Sequence, residues 1–321
     1  ESVYPSDRRN PANQLILPDS MMSLYPQAPV ISQISPRVGF AYQLGGQAVL
    51  HFSYGHFFQM PPMYAMYQNN SFLVDPNNFV TRMGNTLLEP EKTITYEIGL
   101  WQELNQVMAL DVALFYRDIY NLLTTKTIST YNQVKYGLYS NKDYGNVRGL
   151  ELKLDLAMGQ LKGMVNYTLQ YTRGNADSPG QTFDRAGNNQ DPVNRFIPMG
   201  WDQRHTLNGS LIYGTEKYGG SMTAYYNSGS PYTFAPQSES VLSRINLYPN
   251  NDYRPEKYSV DCSFYYRFKL PGGYSANLDL NIYNLFDRLN EEWVNDQTGR
   301  AYTAVIKETD IAGHRSDFND Y

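Results

Sequence analysis

From Pro36 to Asp287 the side chains change character at every second residue, and the alternating segments are joined by connections that are short and long by turns. Between Leu161 and Arg173, one parity holds Leu161, Gly163, Val165, Tyr167, Leu169 and Tyr171; the other holds Lys162, Met164, Asn166, Thr168, Gln170 and Thr172. Successive side chains of a β-strand point to opposite faces, so this segment reads as a strand with one apolar and one polar surface. About ten such strands, with tight turns on one side and long loops on the other, make the pattern of an antiparallel transmembrane β-barrel. Barrels escape hydropathy scans because each strand needs only about 9–11 residues, half of them apolar.

The first segment sets Val38, Phe40, Tyr42 and Leu44 against Arg37, Gly39, Ala41 and Gln43, and Gly45-Gly46 suits a tight hairpin. Next come Ala48, Leu50, Phe52 and Tyr54 against Gln47, Val49, His51 and Ser53, followed by a long connection rich in Pro, Asn, Met and Tyr. Ile94, Tyr96, Ile98 and Leu100 then oppose Thr93, Thr95 and Glu97. A turn at Glu103 to Gln106 leads to Met108, Leu110, Val112, Leu114 and Tyr116, opposed by Asp111, Phe115 and Arg117. From there to Asn146 alternation lapses, and a long loop is expected. Leu150, Leu152, Leu154 and Leu156 against Glu151, Lys153 and Asp155 give the cleanest alternation, and Gly159-Gln160 turns them into the Leu161 strand.

The pattern then repeats. A loop from Gly174 to Gln203 precedes Leu207, Gly209, Leu211 and Tyr213, and Glu216-Lys217 turns the chain into Met222, Ala224 and Tyr226. A loop from Ser230 to Glu256 precedes Val260, Cys262, Phe264, Tyr266 and Phe268, which oppose Asp261, Tyr265 and Arg267. Pro271-Gly272-Gly273 leads to Tyr274, Ala276, Leu278, Leu280 and Ile282, against Ser275, Asn277, Asp279 and Asn281. Residues 1–34 and 288–321 lack alternation and are expected as loop segments of a single barrel domain spanning 1–321.

Charge gathers on the polar faces: Arg37, Glu97, Asp111, Arg117, Glu151, Lys153, Asp155, Asp261, Arg267 and Asp279 are expected to face a wet lumen or a polar plug. The apolar faces are expected to meet outer-membrane lipid. The 29 tyrosines suit both strands and a membrane–water interface. A net charge of -5 without any lysine or arginine run offers nothing to nucleic acid. The one cysteine, Cys262, excludes a disulfide framework and any cysteine-based zinc site, and sits on an apolar face as a small packed hydrophobe.

Several strings resemble the C-terminal barrel of TonB-dependent outer-membrane receptors, in particular the Bacteroidetes-type group with a carboxypeptidase-regulatory-like domain. They are ISPRVGFAYQLGGQAVLHFSYGHFFQMPP (Ile34 to Pro62), LLEPEKTITYEIGL (Leu87 to Leu100), VRGLELKL (Val147 to Leu154), WDQRHTLNGSL (Trp201 to Leu211), SGSPYTF (Ser228 to Phe234) and IYNLFDRLN (Ile282 to Asn290). In the second, Pro90, Glu91 and Lys92 precede the strand and Tyr96, Glu97 and Gly99 lie within it. The resemblance implies a 22-stranded barrel in the Gram-negative outer membrane that imports a ligand such as a siderophore, glycan or peptide. It also implies a plug domain and a TonB-contacting segment as partners, neither of which this sequence carries. The chain begins at Glu1 without signal peptide or initiator methionine and reads as a processed form or a piece of something longer; with about ten strands against 22, the resemblance implies part of a larger barrel, roughly strands 12 to 21.

Catalytic chemistry finds little footing. His51, His56, His205 and His314 are the only histidines, and the sequence places no carboxylate or histidine partner beside them, so each reads as a wall or loop residue. Asp184, Asp191, Asp296 and Asp310 lack the oxygen-ligand spacing of a calcium loop. No phosphate loop, nucleophile elbow or zinc motif appears, and no metal or cofactor is expected. Ligand contacts are expected from loop aromatics: Tyr64, Tyr67, Trp201, Tyr232, Phe234 and Trp293. The reading is therefore a non-enzymatic receptor barrel. The alternatives are a self-contained outer-membrane porin or omptin-like protease, and a secreted β-rich binding module.

Overall fold

A wall made of hairpins must reverse the chain within two or three residues, which calls for backbone angles that few residues reach. Gly45 and Gly159 supply them, with φ of +67° and +59° at the Gly45-Gly46 and Gly159-Gln160 turns. In the computed structural model the described residues are 30–69, 73–190, 192–193, 195–235 and 248–301. They fall into two compact units, Glu1–Leu154 with Leu169–Met199, and Asp155–Thr168 with Gly200–Tyr321.

The first unit holds β1 (Arg37–Leu44), β2 (Ala48–Gln59), α1 (Met63–Tyr67), β3 (Arg82–Met83), β4 (Glu91–Asn105) and β5 (Met108–Ser129). It also takes most of β6 (Lys135–Met158), the end of β7 (Leu161–Gly174), α2 (Gln181–Gly187) and β8 (Ile197–Pro198). Its long strands bond in the order β1-β2-β4-β5-β6-β7; β3 lies parallel to β6, and β8 antiparallel to β7. The second unit continues from the turn-side ends of β6 and β7 through β9 (His205–Gly214), β10 (Tyr218–Asn227), β13 (Lys257–Lys269) and β14 (Ser275–Ile282). Its order is β7-β9-β10-β13-β14, and β11 (Pro231–Tyr232) pairs separately with β12 (Asp252–Tyr253).

Every strand read from alternation is present. One connection differs. The stretch from Arg117 to Asn146, expected as a long loop, is mostly strand: β5 runs on to Ser129, and β6 starts at Lys135. Short and long connections therefore do not alternate strictly. The alternation lapses there because Leu122 and Leu123 are neighbours and Thr124, Thr125, Lys126 and Thr127 follow in succession, so backbone pairing continues without an apolar stripe on one face to announce it. Asn121, at φ 59°, marks the local irregularity where the pattern breaks.

Burial runs opposite to that of a soluble sheet. On β5, Leu114 and Tyr116 are exposed, Leu114 by 55%, whereas Ala113 and Phe115 on the polar parity are buried, Phe115 to 5%. On β4, Tyr96, Ile98 and Leu100 are exposed and Gly99 between the last two is buried. In the second unit Leu207, Leu211, Met222, Phe264, Phe268, Leu278 and Leu280 are all exposed.

A sheet one layer thick has no facing layer to fill its inner surface, so bulky side chains there lie across glycines of neighbouring strands. A Cβ on Gly99 would come within 2.2 Å of His51 Nε2, one on Gly149 within 2.5 Å of Phe115 Cζ, and one on Gly219 within 2.5 Å of Tyr265 Cε1. Adding volume to a packed site costs about 1–3 kcal/mol. Gly99→Ala is thus expected to lower stability by about that amount in urea unfolding, and His51→Ala in the same chain should restore most of it. At Gly149 the Leu169 carbonyl oxygen also stands in the way, 2.3 Å from the added Cβ, so removing Phe115 should rescue Gly149→Ala poorly.

Candidate ligand-binding site

In the first unit the chain beyond the turn-distal strand ends folds into a small core of its own. After β2 it doubles back through α1, with Gly84 N–H donating to Gln68 O and Asn85 N–H to Ala65 O, both at 2.8 Å. Ala65, Leu88, Leu123 and Tyr139 bury one another, with Met66 packed alongside. After β7, α2 delivers Phe183, which is fully buried and meets Phe79 at 5.3 Å between ring centroids. Gly137 on β6 lies beneath this ring and beside Thr125, whose Cγ2 would be the nearest atom to an added Cβ, with the Phe183 ring 3.3 Å away. Arg82 of β3 pairs with Asp184 of α2 and lies over Phe183, 5.8 Å from its centroid.

These contacts hold α2 and its flanking chain against the long β5–β6 hairpin and leave a cavity of about 910 Å³ between them. Thr124–Thr127 and Ser140–Asp143 form one side, and Gln181, Thr182, Arg185, Gln190, Val193 and Arg195 are among those that form the other. Lys126, Lys142, Arg185 and Arg195 line it together with one described carboxylate, Asp143. A barrel strand crosses hydrocarbon with about 9–11 residues, and Asp143 lies beyond that length from the Gly159 turn. Burial pushes its carboxyl above the usual carboxylate range, against a hydrogen bond with Thr124 and the nearby charge of Lys142. The buried Thr125 Oγ1 on the same wall has no hydrogen-bond partner among the described residues.

The second unit has its own pinned loops. Asp202, wholly buried, accepts hydrogen bonds from Arg204 Nη2 and from the Tyr253 hydroxyl, each at 3.1 Å, which ties the WDQRH segment to β12. Glu291 accepts from Arg300 Nε at 2.7 Å and from the Ala301 N–H, closing the loop after β14.

The aromatics expected to grip a ligand are spread over both units. Tyr64 and Tyr67 lie on α1, exposed, and Tyr64 meets Tyr139 edge-on at 5.8 Å. Trp201 and Trp293 are exposed on loops of the second unit. Tyr232 is 8% exposed, and its hydroxyl donates to Asp252 Oδ2 at 3.2 Å. Burial, with Asp252 beside it, pushes this phenol up to about 12. Phe234 is half-buried, its N–H held by Asn251 Oδ1 at 2.7 Å. The cavity's basic residues escaped the sequence reading because half of them stand on strand taken for loop. The available signal was charge: Lys126, Lys142, Arg185 and Arg195 fall in two of the long unpatterned stretches.

The charged wall residues are better partnered than the sequence indicated. Strand register places His51 diagonally between Glu97 and Asp111, with His51 Nε2 3.3 Å from Asp111 Oδ1 and Nδ1 4.0 Å from Glu97 Oε1. The expectation of no carboxylate beside a histidine therefore fails at His51. Its partners come from strands far away in sequence. Arg37 lies over Phe57 and Arg117 over Phe115, at 4.6 and 4.9 Å. Asp261 accepts from Ser259 and from the Asn284 N–H, and Arg267 donates to Asn277. Glu151, Lys153 and Asp279 are exposed, and Asp155 is half-buried. Among the described residues no three metal-ligating side chains converge. Asp191, Asp310 and His314 lie outside the described residues.

A family model described as TonB dependent receptor-like, beta-barrel matches residues 6–285, and the chain belongs to this family of Gram-negative outer-membrane proteins. The siderophore receptor PirA from Acinetobacter baumannii superposes with a TM-score of 0.54 at 16% identity, over 79% of this chain and 37% of that one. The pyoverdine outer membrane receptor FpvA from Pseudomonas aeruginosa PAO1, solved with pyoverdine, gives 0.53 at 18% identity over 84% and 34%. The outer membrane transporter YddB from Escherichia coli gives 0.52 at 10% identity over 75% and 35%. The chain thus spans about a third of the length of these structures, which are receptors and transporters. No curated protein sequence matches it. The porin, omptin-like and secreted-module alternatives gain nothing from these matches.

One loop contact has a definite pH signature. Its hydrogen bond from Arg300, with that of the Ala301 N–H, holds the Glu291 carboxyl below the usual range despite partial burial. A depressed folded-state value adds stability above the unfolded carboxylate pKa of about 4.3, and this is lost as pH falls through the folded value. Proteolysis of the loop after β14 is expected to quicken as pH drops below about 4 in the parent but not in Glu291→Gln, which should be equally labile at both pH values.

Proposed function

We propose that this chain forms part of the wall and loops of an outer-membrane receptor barrel that imports a ligand with energy relayed through TonB. The plug and the TonB-contacting segment would be carried by other parts of the same receptor. The observation that carries this reading is the outward placement of apolar side chains. Rows of Leu, Ile, Phe and Met stand exposed on one face, while on the charged face of the first unit Ala113 and Phe115 are buried and His51 pairs with Glu97 and Asp111. In water such rows would be an aggregation surface; hydrocarbon is the medium they suit.

Tyrosine placement supports the same reading. In the second unit Tyr218 pairs with Tyr266, and Tyr226 pairs with Tyr258, eight residues further along β10. At about 3.3 Å per residue and a tilt of about 40°, these rows stand roughly 20 Å apart, close to the apolar band of about 25 Å between the aromatic girdles of outer-membrane barrels. In the first unit Tyr54, Tyr96 and Tyr116 stand in register across β2, β4 and β5.

The role assigned here is a passive wall, not catalysis. Tyr64, Tyr67, Trp201 and Trp293 are the exposed aromatics offered to ligand, and Glu97, Asp111 and Arg117 belong to the lumen or plug side. The Bacteroidetes-type assignment rests on the six quoted strings. That the chain is one arc of a larger barrel is supported by its spanning a third of the matched structures.

The lipid-facing assignment separates cleanly from a soluble one. Leu114→Arg is expected to cost about 2–4 kcal/mol if Leu114 meets the bilayer midplane, falling toward zero near its edge, and to deplete the receptor from outer-membrane fractions. Exposed substitutions on a soluble protein change stability by about 0.5 kcal/mol or less. Equal tolerance of Leu114→Arg and Lys153→Glu in the full-length receptor would overturn the assigned faces.

A further inference from the structure

The cavity between the β5–β6 hairpin and the α2 connection departs in charge from the chain that contains it. The whole sequence is five charges negative. The cavity lining carries four cations, Lys126, Lys142, Arg185 and Arg195, against the carboxylate of Asp143. Counting Asp191 as well, which follows Gln190 of the lining in sequence, four less two still leaves an excess of two positive charges. Asp184 is engaged by Arg82. The rest of the lining is rich in hydrogen-bonding side chains, Thr182, Asn141 and Asn175 among them.

The volume is that of a small-molecule site, which for drug-sized ligands runs about 300–1,000 Å³. Its walls are built, not incidental. One is a continuous strand pair, and the other is anchored by the buried Phe183 and the Arg82–Asp184 pair. A guanidinium carries five N–H donors, so Arg185 and Arg195 can add a bond to a carboxylate or phosphate oxygen beside the contacts they already make, and two lysines add point charges.

We infer that this cavity is a binding site for a small ligand bearing several oxyanion groups, carboxylate or phosphate. The inference rests on the receptor reading and narrows it to a polyanionic ligand held by Lys126, Lys142, Arg185 and Arg195. Sugar-like neutral ligands would find charge here that they cannot use, whereas an oxyanion recovers its desolvation cost through charge-assisted hydrogen bonds.

The test uses the full-length receptor in detergent, titrated calorimetrically with citrate, with inositol hexakisphosphate and with the neutral sugar maltotetraose. Saturable binding of one anion per receptor is expected, weakened at least tenfold by Lys142→Gln with Arg195→Gln and by raising salt to about 0.5 M. Citrate binding alone would assign carboxylate, and inositol hexakisphosphate binding alone would assign phosphate; either supports the site. Unchanged anion affinity in the double variant, tighter binding of maltotetraose, or no anion binding at millimolar concentration would overturn it. Heat-modifiable mobility on gels checks that the variant barrel is folded. Failure of this test leaves the membrane reading to the Leu114→Arg experiment, which does not touch the cavity.

Discussion

The backbone ladder between neighbouring strands is the constraint on which the rest depends. In a wall one sheet thick no second layer supplies packing energy, so register must be held by hydrogen bonds and by what each strand lays across the next. The glycines at positions 99, 149 and 219 show how. Each is a hole in one strand that receives a bulky side chain from its neighbour, and a slip of one residue would present a face without the hole. The strings that resemble receptor barrels are in this light local solutions to a register problem. YEIGL seats His51, and VRGLELKL seats Phe115.

Register also does chemical work. It sets His51 beside Glu97 and Asp111, and Tyr54 beside Tyr96 and Tyr116, although each group draws on three separate strands. The ladder then continues past the wall: β5 and β6 carry their pairing outward, where α1, α2 and the buried Phe183 find something to pack against. Wall and cavity share one hairpin and use different physics along its length.

That change of physics explains what the sequence could and could not show. Where one face carries an unbroken apolar row, two-residue alternation survived and the strands were legible, as from Ala48 to Tyr54 or Leu150 to Leu156. Beyond Arg117 apolar side chains fall on both faces, as at Ile119, Leu122 and Leu123, and polar ones follow on both, so the period vanished while the strand persisted. The cation cluster was illegible for a related reason: Lys126 and Lys142 meet Arg185 and Arg195 only after a hairpin and a helix have folded back. The partners of His51 were hidden in the same way, behind a register that no local pattern specifies. Loop aromatics were easy to pick out one at a time, but only the structure distinguishes Tyr232, tied to Asp252, from Trp293, which stands in the open.

The extended β5–β6 hairpin also bears on how such a receptor can change over generations. Its membrane-proximal half answers to apolar contact and to glycine-seated register, so most substitutions there threaten assembly. Its distal half is held by self-sufficient backbone pairing and by a few anchors such as Phe183, and its charged side chains are free of that burden. Exchanges at Lys126, Lys142 or their facing arginines would therefore alter the charge of the cavity while the wall beneath them stays fixed.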